Sequence, residues 1–133
     1  MAIHPINFEV SCVKTLSVVE AEANRSNQHE FNGVVQLKRL FGERRIQMSA
    51  SFSVRGSNAV YQSDLTWYDA RENHPTRSEF RLYFTTNPVM TNAKGGDNIV
   101  IGFDLAGNIH CELIPQGSVT FTPTDGWEFN EAA

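Results

Sequence analysis

Asp64–Phe84, DLTWYDARENHPTRSEFRLYF, is the stretch whose reading decides the fold. Leu65-Thr66-Trp67-Tyr68 is aromatic and β-prone, and Phe80, Leu82 and Phe84 alternate with Arg81 and Tyr83. That period of two marks a half-buried strand. Two strands are therefore predicted here, joined by a connection that holds Asp69, Arg71, Glu72, Asn73, His74, Thr76, Arg77, Ser78 and Glu79. Pro75 stiffens the connection and disfavours helix at His74. A turn needs fewer donors and acceptors than this. The connection is thus expected to meet a partner, against the simpler reading of a solvated loop laced with Arg–carboxylate pairs.

Outward from this pair, the alternation continues. Phe8 to Val19 reads as a first strand or strand pair, followed by a long polar segment from Glu20 to Glu30 that reads as a second arm. Val34, Leu37, Leu40 and Phe41 fall at helical spacing, with Gly42 as the stop. Arg44 to Val54 is the clearest strand, with Ile46, Met48, Ala50, Phe52 and Val54 inward. A helical turn is predicted between Val89 and Lys94. Asn98–Phe103 and Ile109–Ile114 form a hairpin about Leu105-Ala106-Gly107-Asn108. Val119–Thr122 reads as a last strand, and residues 123–133 as a tail in which Trp127 and Phe129 can dock. The expectation is one domain over residues 1–133 with its core at about 8–122. It is all-β with one or two short helices and about seven strands, arranged as a small barrel or sandwich.

At 133 residues the chain can bury a core without staples. No apolar run approaches the ~20 residues of a membrane span. The N-terminus lacks the basic-then-apolar layout of a signal peptide, so the cytoplasm is expected. Cys12 and Cys111 stand alone in strand-like contexts and read as buried reduced thiols. The net charge of −4 argues against a polyanion partner for the chain as a whole. Its distribution argues the other way. Nine of the eleven basic residues lie between Arg25 and Arg81, and eight of the eleven are arginine, the side chain suited to phosphate and guanine edges.

Catalytic motifs are not found. There is no nucleophile elbow, phosphate-binding loop, HExxH pair or dinucleotide fingerprint. Gly95-Gly96-Asp97 reads as a tight turn. His4, His29, His74 and His110 have no metal-ligand spacing, and His110 reads as a packing residue on a strand. Asp69 followed by Glu79-Phe80-Arg81 approaches the layout of metal-dependent nucleases, but an arginine stands where those enzymes use lysine. Glu79 reads more simply as an acceptor between Arg77 and Arg81, which share its face of a strand. A glutamate that accepts from cytosine and arginines that donate to guanine suit G·C base pairs. Trp67, Tyr68 and Tyr83 stacking on a sugar or other small molecule is the alternative, although such aromatics more often pack a core.

Ser26-Asn27-Gln28-His29-Glu30-Phe31-Asn32-Gly33, Leu65-Thr66-Trp67-Tyr68-Asp69 and His74-Pro75-Thr76-Arg77-Ser78-Glu79-Phe80-Arg81-Leu82-Tyr83 resemble the N-terminal effector-binding domain of EcoRII-type restriction endonucleases. Gly96-Asp97, Asp104-Leu105-Ala106-Gly107 and Pro115-Gln116-Gly117-Ser118 follow in the matching order. The resemblance covers roughly residues 8–120. It implies a seven-stranded open DNA-binding pseudobarrel, the fold also used by a class of plant transcription factors. Two arms of that fold grip the major groove and read a short CCWGG-like site. By position the N-arm is Arg25 to Asn32 and the C-arm is Asp69 to Arg81. The residues implied at DNA are Arg25, Ser26, Asn27, Gln28, His29 and Asn32 from the first arm, and Arg71, Asn73, His74, Thr76, Arg77, Ser78, Glu79 and Arg81 from the second. His29 would touch bases or phosphate, and Arg77, Glu79 and Arg81 would read base edges. Pro75 and Phe80 stand where the family can carry a lysine. The implied protein is a monomeric, non-catalytic recognition module of the bacterial cytoplasm that needs no cofactor or metal. Its partner is double-stranded DNA, and a nuclease domain would be separate.

Overall fold

The structure, a computed structural model, describes residues 6–21, 30–32, 34–73, 75–76, 78–118 and 121–131. Its strands are β1 (Phe8–Thr15), β2 (Glu30–Asn32), β3 (Ile46–Val54), β4 (Val60–Asp69), β5 (Phe80–Phe84), β6 (Asn98–Asp104), β7 (Ile109–Ile114) and β8 (Glu128–Glu131). Short helices are α1 (Val18–Ala21), α2 (Val35–Phe41) and α3 (Pro88–Thr91). All eight strands form one sheet in the order β2-β5-β4-β3-β7-β6-β1-β8. The β3–β7 step is parallel and the others are antiparallel. The all-β architecture expected from the alternation is what the chain adopts, as one open sheet with eight strands among the described residues where about seven were expected.

The sheet curls. Phe31, on edge strand β2, meets Trp127, next to edge strand β8, ring edge to ring face at 5.6 Å. Side chains close this seam, and no strand pairing joins β2 to β8 among the described residues. The inner surface holds Cys12, Phe52, Leu65, Trp67, Leu82, Phe84, Ile99, Ile101 and Cys111, all but fully buried. On β3 the alternation runs as predicted, with Ala50 and Phe52 buried while Gln47 and Ser49 face out. Helix α2 packs Leu37 and Phe41 inward, and the Phe41 ring lies 5.4 Å from Trp67 and 5.9 Å from Phe103. Burial pushes the Cys12 thiol up to about 12, and the Cys111 thiol also rises, so both are protonated and unreactive at neutral pH.

Three boundaries differ from expectation. The first strand ends at Thr15, because Ser17 and Glu20 form a reciprocal cap. Glu20 N–H donates to Ser17 Oγ at 3.2 Å, and Ser17 N–H donates to Glu20 Oε1 at 3.0 Å. That exchange starts α1 where an extended run to Val19 was expected. The predicted strand at Val119–Thr122 is absent over Phe121 and Thr122, while Val119 and Thr120 lie outside the described residues. Pro123 has no N–H for a ladder. The chain is tied instead by Thr124 N–H to Thr15 Oγ1 at 2.7 Å and Thr15 N–H to Thr124 Oγ1 at 2.9 Å. The supposed tail then becomes β8, pairing Cys12 with Phe129 and Val13 with Glu128, and Trp127 joins the core. Arg39 holds β8 against α2, with its guanidinium 3.9 Å over the Phe129 ring and 3.4 Å from Glu131.

Candidate nucleic-acid interface

The described end of the predicted N-arm, Glu30–Asn32, pairs with β5 at the end of the C-arm. β2 lies antiparallel to β5, with Glu30 opposite Tyr83, Phe31 opposite Leu82 and Asn32 opposite Arg81. Arg81 in turn stands opposite Tyr68 on β4. Phe31, Leu82 and Trp67 fill the inward positions of this patch. Alternation therefore sends Asn32, Arg81 and Tyr68 to the outer face in one row, with Glu30 and Tyr83 in the next.

Asp69 closes the neck of the long connection. Its Oδ1 accepts the N–H of Arg71 at 2.9 Å and of Glu79 at 2.7 Å, and Ala70 N–H donates to the Glu79 carbonyl at 2.7 Å. The two N–H groups hold the Asp69 carboxyl below its ordinary range, Glu79 contributing most. Below the neck, Phe80 stacks on Trp67 at 5.1 Å, and Lys38 reaches from α2 to lie 5.5 Å over the Phe80 ring. Phe80 thus seats the arm on the core.

Above the neck is a charged network. The Glu79 carboxylate lies between two guanidinium groups. Arg71 Nε is 3.5 Å from its Oε1, and Arg81 donates to its Oε2 from Nε at 3.1 Å and from Nη2 at 2.5 Å. Arg81 also donates from Nη1 to Glu30 Oε1 at 3.3 Å, and Glu30 Oε2 accepts from the Tyr68 hydroxyl. The Arg81 bond holds the Glu79 carboxyl down, and Glu79 and then Glu30 raise the guanidinium pKa further. Burial first, and then the bond to Glu30, push the Tyr68 phenol up to about 12. A guanidinium has five N–H donors. With Nε and one hydrogen each of Nη1 and Nη2 engaged, each terminal nitrogen of Arg81 retains one N–H for an acceptor from outside.

Of the expected Arg77–Glu79–Arg81 ladder the described residues hold the Glu79–Arg81 part, and Arg71 approaches the other oxygen of Glu79. Arg77 lies outside the described residues, as do Arg25, Ser26, Asn27, Gln28, His29 and His74. Asn32 is exposed at the end of β2, and Asn73, Thr76 and Ser78 are exposed along the connection. Glu30 is not among the residues expected at DNA, and Tyr68 is expected only as a stacking ring in the small-molecule alternative. Glu30 sits 51 positions from Arg81, and its only local signal is the out-in-out pattern of Glu30-Phe31-Asn32. Trp67, suggested as a ligand-stacking ring, is fully buried, and its Nε1 donates to the Gly42 carbonyl at 2.9 Å. His110 is more than a packing residue: its Nε2 lies 2.8 Å from Asp104 Oδ2.

Among the described residues no cluster of three or more His, Cys, Asp or Glu side chains is placed to hold a metal ion. None of their helices is long and apolar enough to cross a membrane. No protein-family model matches the chain, and no curated protein matches it.

Proposed function

We propose that this chain is a sequence-reading, double-stranded DNA-binding module without catalysis of its own. It would work as a monomer in the bacterial cytoplasm, as the effector domain of an EcoRII-type restriction endonuclease does, with any nuclease in a separate domain. Arg81 carries the proposal. Its guanidinium is held from two sides by Glu79 and Glu30, is partly exposed, and keeps one N–H on each terminal nitrogen. A pair of donors locked in one plane matches the two acceptors O6 and N7 of guanine in the major groove. Glu79 orients that fork. Asn32, from the other arm, flanks it on the outer face.

Two other readings are weaker on the same geometry. A nuclease needs Asp69 and Glu79 turned towards a cation, whereas Asp69 holds two backbone N–H groups and Glu79 holds two guanidinium groups. A sugar-binding barrel loses its largest ring, since Trp67 belongs to the core.

The test is a gel shift at moderate salt with a labelled CCWGG duplex, challenged by unlabelled specific and scrambled duplexes. Selective competition by the specific duplex is expected. Equal competition would reject this target and lead to random-site selection. No shift at low salt would reject DNA as the partner.

A further inference from the structure

The arginines of the described chain divide into two kinds. Arg39 pairs with Glu131, Arg55 with Glu112, Arg71 with Glu79, and Arg81 with Glu79 and Glu30. Arg44 and Arg45 are exposed and have no carboxylate partner among the described residues. They occupy the corner between α2 and β3, beside Lys38 in the last turn of the helix.

The corner is held at both ends. Gly42, at φ 83°, turns the chain out of α2, and its N–H donates to the Lys38 carbonyl at 2.7 Å. Its own carbonyl accepts from Trp67 Nε1 at 2.9 Å. Ile46 then enters β3 opposite Trp67. Arg45 therefore comes up next to Tyr68, which stands opposite Arg81, and its positive charge acts on the Tyr68 phenol. Lys38 lies on Phe80 at the foot of the C-arm, and its charge acts on Asp69. The only acid of the corner itself is the exposed Glu43.

We infer that Lys38, Arg44 and Arg45 form a surface for the phosphodiester backbone of duplex DNA, next to the arm that reads the bases. This inference rests on the DNA-binding reading above. The cation pattern favours backbone over base contact. Free, exposed arginines on a fixed corner neutralise phosphates whatever the sequence, whereas Arg81, held by two carboxylates, presents a fork of one orientation. The division of labour is then position at the corner and identity at the arm.

The experiment measures the affinity of the full chain for specific and scrambled duplexes by fluorescence anisotropy over a salt series. It compares the wild type with R44A/R45A, R44K/R45K and E43Q. Each neutralised phosphate contributes about 0.9 to the slope of log K against log salt. The double alanine variant is expected to lose roughly 1.8 from that slope on both duplexes, with their affinity ratio unchanged. The double lysine variant should keep the slope, and E43Q should bind both duplexes more tightly. An unchanged slope in R44A/R45A would overturn the inference. So would a loss confined to the specific duplex, or a loss of slope in R44K/R45K equal to that of the alanines. Should the alanine variant not fold by circular dichroism, E43Q decides: equal tightening on both duplexes supports the corner, and no change rejects it. Wild-type protein that binds neither duplex would reject the DNA reading itself, and the corner with it. A wild type that binds anionic vesicles instead would assign the corner to membrane headgroups and equally overturn the inference.

Discussion

Two hairpins of this sheet begin with an aspartate that accepts two backbone N–H groups, and they end differently. At the β6–β7 hairpin, Asp104 Oδ1 accepts from Ala106 and Asn108, both at 2.9 Å, and Oδ2 meets His110 at 2.8 Å. Asp104 N–H to Asn108 O and Gly107 N–H to Asp104 O complete a tight turn, with Gly107 at φ 86°. At the β4–β5 hairpin, Asp69 accepts from Arg71 and then from Glu79, eight positions further on. The same device that closes a turn in one place clamps the neck of an arm in the other. The connection beyond that neck is left to carry charged groups outward. A hairpin that only reverses the chain satisfies its polar groups within itself. The β4–β5 connection keeps donors over, and the proposed function rests on that difference.

The strongest way to break the comparison is to remove what seats the long hairpin. Trp67→Ala deletes a fully buried ring that stacks on Phe80 and packs on Phe41. A loss of about 3–5 kcal/mol in urea denaturation is expected, with the arm displaced. A loss within that of a surface substitution would mean that Phe80 does not anchor the arm.

A second test separates the arm from its seat. Arg81→Ala should leave the urea midpoint nearly unchanged and reduce discrimination between specific and scrambled duplex by ~1–3 kcal/mol. Glu79→Ala should reduce discrimination in the same direction, because both guanidinium groups lose their common acceptor. Asp104→Ala loosens only the tight turn and should leave duplex preference as it was. Loss of preference in Asp104→Ala, with none in Arg81→Ala, would reverse the assignment of the two hairpins.

The third effect is confined to the network. Tyr68 is held protonated to about 12, above the ordinary phenol value of 10.0. A raised pKa stabilises the fold fully below the ordinary value, and the contribution is lost as pH rises from about 10 through about 12. Glu30→Gln should lower the Tyr68 pKa, read from its ring resonances in an NMR titration. The value should stay above that of a free phenol, because burial is the larger cause. An unmoved Tyr68 would show that Glu30 does not link the arms in solution.

The smallest effect compares the two aspartates directly. Both carboxyls are held below their ordinary range, Asp104 by His110 first and Asp69 by the Glu79 N–H first. Depressed pKa values stabilise the fold above the ordinary carboxylate value of about 4, and the contribution is lost as pH falls through the lowered ones. The amide resonances of Arg71, Glu79, Ala106 and Asn108 should therefore move at acid pH and not near neutrality. If Glu79 alone stays still, the neck is not clamped.

The parts of this protein legible from its residues are those where a local pattern repeats long enough to be unambiguous. The alternation Ile46, Met48, Ala50, Phe52, Val54 can place one face inward only as a strand, and Leu37 and Phe41 fit one face of a helix. Asp104-Leu105-Ala106-Gly107-Asn108 carries its own turn chemistry. Short or weak patterns misled. Glu128–Glu131 is acidic and only four residues long, and it becomes a strand because β1 offers an unpaired edge and Arg39 holds Phe129 and Glu131. Ser17 and Glu20 do carry the signature of a cap, hidden inside an apolar run that suits a strand equally well.

The candidate site divides in the same manner. The sequence by itself determined that a connection dense in charge joins β4 to β5, and that Glu79 and Arg81 share a face, because neighbours two apart on an extended chain must. Only the tertiary structure decided that Arg71 lies across Glu79 from Arg81, that Glu30 and Tyr68 complete the network, and that Arg44 and Arg45 stay unpaired beside it among the described residues. Those relations depend on β2 pairing with β5 and on α2 folding across Trp67. Contacts between residues 25 to 51 positions apart are set by which strand edges and apolar faces find one another, and no local pattern encodes them.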